Sequence, residues 1–222
     1  MLRALVCIIL LAGALAPAQA ADRLVTVTGE ATISVPPDTA IIRVGVTSQG
    51  KTAREASDAN AQKMTAVLAA IKASGIADKD VQTSRLSLQP QYDTGKGGPA
   101  RLLGFQVTNQ VTVQIRDITS LPNVLDKAIA AGANEMSGIE FVVSQQSKLL
   151  DQARDDAIAD AHRKAALYAA AAGSRLGHVV SITEEGAPLP PRPIAAMRAA
   201  VPVAPGEQTL RAVVTVSYDL TP

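Results

Sequence analysis

Asp155, Asp156, Asp160 and His162 form the closest grouping of side chains in this chain that could hold a metal ion or exchange a proton. Either chemistry needs its groups on one face. On a helix Asp156 and Asp160 share a face, one turn apart, but His162 lies two residues further round. The spacing points instead to a solvated charged face, with Asp160 and Lys164 as a stabilising i,i+4 ion pair. Arg154, Arg163 and Lys164 could bind an anion, but salt bridges along the helix account for them. His178, the second histidine, follows Gly177 and belongs to no His-x-x-x-His pair; it reads as a helix-end or surface imidazole. Lys96, in Gly95-Lys96-Gly97-Gly98, lacks the spacing of a phosphate loop. No Gly-x-Ser-x-Gly elbow occurs. Asn109 and Asn134 stand out as polar residues in strand-rich surroundings, and Asn134, after Gly132, can close a turn with its side chain. The expectation is no catalytic residue, no cofactor and no metal.

The remaining candidate is a binding segment. Gly186 to Gly206 (GAPLPPRPIAAMRAAVPVAPG) is too rich in proline for regular pairing, and loops of this length usually carry function or link elements. Ile194, Met197, Val201 and Val203 lie there beside Arg192 and Arg198. A cluster of apolar side chains on a loop favours contact with something else. These six residues are the candidate interaction loop, with a plain linker as the alternative.

The chain opens with Arg3, an apolar run from Leu5 to Leu15 and an Ala18-Gln19-Ala20 processing site. That pattern is a secretory signal peptide over residues 1–20, too short to span a bilayer. Cys7, the single cysteine, lies within it and not in a lipobox. The mature chain, 21–222, would have no thiol, which excludes disulfides, thiolate nucleophiles and cysteine-ligated metals. Losing Arg3 takes the formal charge from +1 to about zero. A neutral chain with no tryptophan, two phenylalanines and three tyrosines does not suit nucleic acid. No second apolar run approaches spanning length, so membrane contact is at most peripheral.

The elements follow from periodicity. Leu24 to Val35 alternates as a strand, with a bulge expected near Gly29. Pro36-Pro37-Asp38 turns into a second strand, Thr39 to Gln49, and the two read as an antiparallel hairpin. Thr52 and Glu55 make a capping box for a helix ending at Gly75, with Ala56, Asn60, Met64, Val67, Leu68 and Ile71 on its buried stripe. Strands follow at Val81 to Gln91 and Leu102 to Arg116, joined by a loop over Asp93 to Ala100. A helix from Asp117 to Ala131 buries Leu121, Val124, Leu125, Ala128 and Ile129 and carries Pro122 in its first turn. Ser137 to Ser144 is a strand. The longest helix, Ser147 to Ala172, sets Leu150, Ala153, Ala157, Ala161, Ala165 and Tyr168 on one stripe. Strands at His178 to Glu185 and Gln208 to Leu220 close the chain. This order predicts an α+β fold, mainly antiparallel sheet with three helices, which could form two interlocked lobes.

The segments Thr28-Gly29-Glu30-Ala31, Val35-Pro36-Pro37-Asp38-Thr39-Ala40, Gln89-Pro90-Gln91-Tyr92 and Gly104-Phe105-Gln106-Val107-Thr108-Asn109 carry a resemblance that covers essentially the whole mature chain. Gly132-Ala133-Asn134, Gly138-Ile139-Glu140-Phe141 and Asp160-Ala161-His162-Arg163-Lys164-Ala165 extend it. In order and spacing they resemble the SIMPL-domain family. That resemblance implies a periplasmic protein of SIMPL-like α+β fold with no established enzymatic activity. It implies homo-oligomers of ring or channel form in some members, and links to oxidative-stress defence or the cell envelope in others. One eukaryotic relative partners a signalling kinase. The family supplies no catalytic residue to carry across. The expected function is therefore non-enzymatic: a secreted, self-associating protein acting by binding or assembly, with an envelope protein as a further partner. The alternative is a periplasmic protein that binds a small molecule or metal under stress.

Overall fold

The computed structural model describes residues 23–93, 101–186 and 205–222. In chain order the elements are β1 (Leu24–Val35), β2 (Thr39–Gly50), α1 (Ala53–Ala73), β3 (Val81–Asp93), β4 (Arg101–Ile115), α2 (Leu121–Ala130), β5 (Glu135–Val142), α3 (Gln146–Ala171), β6 (Arg175–Glu184) and β7 (Gln208–Thr221). The strands form a three-stranded sheet in the order β1-β7-β6 and a four-stranded sheet in the order β3-β4-β2-β5. This is the α+β class, with antiparallel pairing and three α-helices, that the patterning predicts. Two compact units result. One is built from the described part of 1–30 with 157–185 and 213–222, the other from 31–156 and the described part of 186–212.

The expected hairpin of the first two strands does not form. β1 pairs with β7, and β2 is a central strand with β4 on one side and β5 on the other. Ala40, Ile42, Val44, Gly45, Val46 and Ser48 of β2 are all buried, and a strand bonded along both edges has no ladder left for β1. Its register with β4 is unbroken from Ala40 opposite Ile115 to Gly50 opposite Phe105.

The four-stranded sheet carries α1 and α2 on one face. Ile42, Val44, Val46, Val111, Val113 and Ile115 from the sheet meet Met64, Val67 and Ile71 of α1 and Leu121, Val124 and Ala128 of α2 in one core. Each of the valine, leucine, isoleucine and methionine side chains contributes roughly 1.5–3 kcal/mol by leaving water. The capping box starts α1 as predicted: the Glu55 N–H donates to the Thr52 hydroxyl, and the Glu55 carboxylate accepts from the Thr52 N–H. Asn60 is the polar member of the buried stripe, and its Nδ2 donates to the Val46 and Val107 carbonyls at 2.7 and 3.2 Å. Leu68, expected on that stripe, stays 38% exposed. The helix expected from Asp117 begins as a 3-10 turn, Ile118–Ser120, with Asp117 accepting from the Thr119 N–H, and becomes α-helical at Leu121. Ile129, placed on the buried face by periodicity, is exposed. The buried Asp80 carboxylate receives the Arg116 guanidinium through two bonds, which joins the start of β3 to the end of β4. That guanidinium also holds the Asp80 carboxyl below the usual carboxylate range.

In the three-stranded sheet, hydroxyl pairs Thr26–Ser217 and Thr28–Thr215 line one face of β1 and β7. Ser34–Thr209 continues the same antiparallel register, so no bulge interrupts β1 at Gly29. Gly29 has a different role. A Cβ there would lie 2.6 Å from the Ala161 nitrogen and 2.7 Å from its Cβ, and closer still to the Ala157 carbonyl. Helix α3 lies directly on this glycine because its buried stripe, Ala157, Ala161, Ala165 and Ala169, carries nothing larger than a methyl group. Tyr168, expected on the stripe, is exposed; Ala169 takes that place. The predicted Asp160–Lys164 pair forms at 2.6 Å and has a second function. The Glu30 N–H donates to Asp160 at 3.2 Å, and Lys164 Nζ donates to the Thr28 carbonyl at 3.0 Å. The ion pair thereby occupies backbone groups of β1. Lys164 and Arg163, with the Glu30 N–H, lower the Asp160 carboxyl to about 2.

Two outcomes follow. Gly29→Val should lose at least about 3 kcal/mol of stability, since the new side chain meets backbone that cannot yield; urea unfolding that leaves the midpoint unchanged would contradict the close approach. The lowered Asp160 carboxyl contributes stability that is complete above its unfolded value of 3.8 and is lost as pH falls toward 2. Asp160→Asn keeps an acceptor for Glu30 but should flatten the acid limb of the melting temperature between about pH 5 and 2, measured by circular dichroism.

Candidate functional site

Arg192, Ile194, Met197, Arg198, Val201 and Val203, the sequence-predicted interaction loop, lie outside the described residues, as does Lys96. The ionisable cluster of α3 separates as the helical geometry requires. Asp155 and Asp156 are exposed. Asp160 is engaged by β1, and the His162 ring meets Tyr218 edge-on, with centroids 6.0 Å apart. His178 is exposed on β6. Among the described residues no three His, Asp or Glu side chains gather to hold a metal ion.

Asn134 does close a connection, through the backbone of β2. The Thr47 N–H donates to Asn134 Oδ1 at 2.7 Å, and Asn134 Nδ2 donates to the Thr47 carbonyl at 2.8 Å. The side-chain amide thus stands where a neighbouring strand's peptide would stand. This is why the strand expected at Ser137 begins two residues earlier, at Glu135. Around it the face of the sheet opposite α1 is a polar lattice. The Thr47 hydroxyl donates to Glu135 at 2.7 Å and meets the Thr108 hydroxyl at 2.9 Å, while Gln110 donates to Ser137 at 2.9 Å. The far end of β5 is held similarly. Asp38 accepts from the Ser144 N–H and hydroxyl at 2.9 and 2.5 Å, bonds that hold its carboxyl below the usual range. Gln208 Nε2 donates to the Phe141 carbonyl. Asn109, the other asparagine, sits between Val46 and Leu86, with its Oδ1 buried and unbonded among the described residues.

On the helix side, coverage stops short of β3. The edge strand β3 and helix α1 leave between them an open groove of about 380 Å³, lined by Leu68, Ala69, Ile76, Val81, Thr83 and Val111, with the Lys72–Asp78 ion pair at its rim. Beyond the groove, along β3, Leu86 and Leu88 are 70% and 50% exposed, and Tyr92 is 53% exposed. Sequence periodicity gives Val81 to Gln91 only as a strand, because alternation does not tell an edge strand from a central one. Pro90, which a strand tolerates at an edge, was the available signal.

No described helix is long and apolar enough to cross a membrane. The SIMPL family model, described as a protein of unknown function (DUF541), matches residues 25–218. The 26 kDa periplasmic immunogenic protein of Brucella melitensis is 37% identical over 88% of this chain and 84% of its own length. The uncharacterized protein YggE of Edwardsiella ictaluri is 30% identical over 81% of this chain and 75% of its own, and that of Escherichia coli K12 is 28% identical over 78% and 70%. With the family model spanning nearly all the described fold, the chain belongs to the SIMPL family.

Proposed function

We propose that the mature protein is a non-enzymatic, self-associating periplasmic component that acts by binding or assembly in the cell envelope or in oxidative-stress defence. The observation that carries self-association is the uncovered apolar surface: Leu86 and Leu88 on β3, and Val179, Val180 and Ile182 on β6, all at least half exposed. Clusters of this kind on sheet edges mark contact surfaces. The leader at residues 1–20 and the name of the Brucella relative support export to the periplasm. The absence of cysteine after the leader suits that setting, because no thiol is present to be oxidised or scrambled. The loop with Arg192, Ile194, Met197, Arg198, Val201 and Val203 acts as a second contact element, an arm for another copy or an envelope protein.

Mass photometry and sedimentation velocity of the exported chain should show an oligomer whose population rises with concentration, and N-terminal sequencing should begin near Ala21. A monomer at every concentration up to the micromolar range would end this reading. A melting temperature that rises only with an added metal or metabolite would favour the ligand-binding alternative instead.

A further inference from the structure

We infer that the outer end of the β3–β4 hairpin is a peripheral membrane contact: Tyr92, Leu102 and Leu103 enter the interface of an anionic lipid bilayer, and Lys51 and Arg101 meet its headgroups. This rests on the export proposed above and not on self-association.

The hairpin outruns the sheet that carries it. β4 pairs with β2 only as far as Phe105, opposite Gly50. Gln91 to Asp93 and Arg101 to Gly104 continue past that point, paired only with each other among the described residues. A two-stranded ribbon is marginal in water unless something packs on it. This one nevertheless carries apolar side chains at its end. Tyr92 and Leu102 stand opposite one another and share a face. Leu103 is the extra residue of the register shift beside them, so it has no cross-strand partner. Tyr92, Leu102 and Leu103 are 53%, 47% and 61% exposed, in that order. Adjoining apolar side chains left open in this way mark a contact surface.

The charges around these side chains select the partner. Arg101 directly precedes Leu102. Lys51 is brought to the same end by the close approach of β2: a Cβ on Gly104 would lie 2.5 Å from the Gly50 carbonyl oxygen and 3.7 Å from the Lys51 Cα. Both cations are exposed, and neither has an ion-pair partner among the described residues. The carboxylates nearest to them in sequence are committed elsewhere. Glu55 accepts from the Lys51 and Thr52 N–H groups, and Asp93 has a partner within the chain. A two-fold contact through this end would set Lys51 and Arg101 against their own copies. An anionic bilayer offers the opposite charge to the cations and an apolar layer to the leucines. Tyrosine suits the boundary between the two, since its ring is apolar and its hydroxyl stays wet.

The chain contains no tryptophan, so an introduced indole reports alone. In the exported full chain, Tyr92→Trp emission should shift to the blue on adding vesicles of equal parts phosphatidylglycerol and phosphatidylcholine. Leu167→Trp, exposed on α3, should not shift. Vesicles of phosphatidylcholine alone should bind about tenfold more weakly or less, and added salt should weaken binding to the anionic vesicles. In the Tyr92→Trp background, Leu102→Asp with Leu103→Asp should abolish the shift, and Lys51→Glu with Arg101→Glu should remove the preference for phosphatidylglycerol; all four positions are exposed, and circular dichroism checks that the fold is kept. An unshifted Tyr92→Trp, or equal shifts at Tyr92→Trp and Leu167→Trp, would overturn the membrane contact. A blue shift that grows with protein concentration in the absence of vesicles would overturn it as well, because a second copy would then be what covers the hairpin end. Export is read separately, from the N-terminal residue, and stands or falls independently of these outcomes.

Discussion

A β-sheet leaves a row of backbone donors and acceptors along each open edge, and this fold is organised around what is done with them. Side chains take the place of missing strands. Asp160 and Lys164 reach the Glu30 N–H and the Thr28 carbonyl on β1. Asn134 presents its amide to both backbone groups of Thr47, and Gln208 engages Phe141. Each bond contributes about 1 kcal/mol, and each polar group left buried and unpaired would cost more. An uncapped edge also invites pairing with another chain.

The same constraint explains the polar residues that sit in apolar company. Asn60 occupies the buried stripe of α1 because the Val46 and Val107 carbonyls need a donor there. Asp80 is buried because Arg116 meets it with two bonds. Helix α3 shows the complementary solution. Its alanines let it lie against Gly29, and that closeness is what brings the Asp160–Lys164 pair within reach of β1. Small side chains and an ion pair on one helix therefore act together: the first sets the distance, the second uses it.

Much of this was legible in the residues. The capping box at Thr52, the alanine stripe of α3 and the strand alternation all emerged where local chemistry is decisive. The errors have a common physical origin. Pro36-Pro37-Asp38 reads as a hairpin turn, yet β2 is saturated by β4 and β5, and β1 finds β7, nearly the whole chain away. Leu68, Ile129 and Tyr168 fit the helical period for burial but remain exposed, because periodicity says which face turns inward and not how far the opposing layer extends.

The sequence by itself determined the single cysteine, at Cys7, the class of fold and the capping box at Thr52, because these depend on residue types and short spacings. Only the tertiary structure decided which strands are central and which are edges, where the helix layer ends, and that Asp160, Lys164, Asn134 and Gln208 serve as substitutes for strands. Those outcomes depend on contacts between distant segments, and local spacing carries no information about which distant backbone will arrive beside a given side chain.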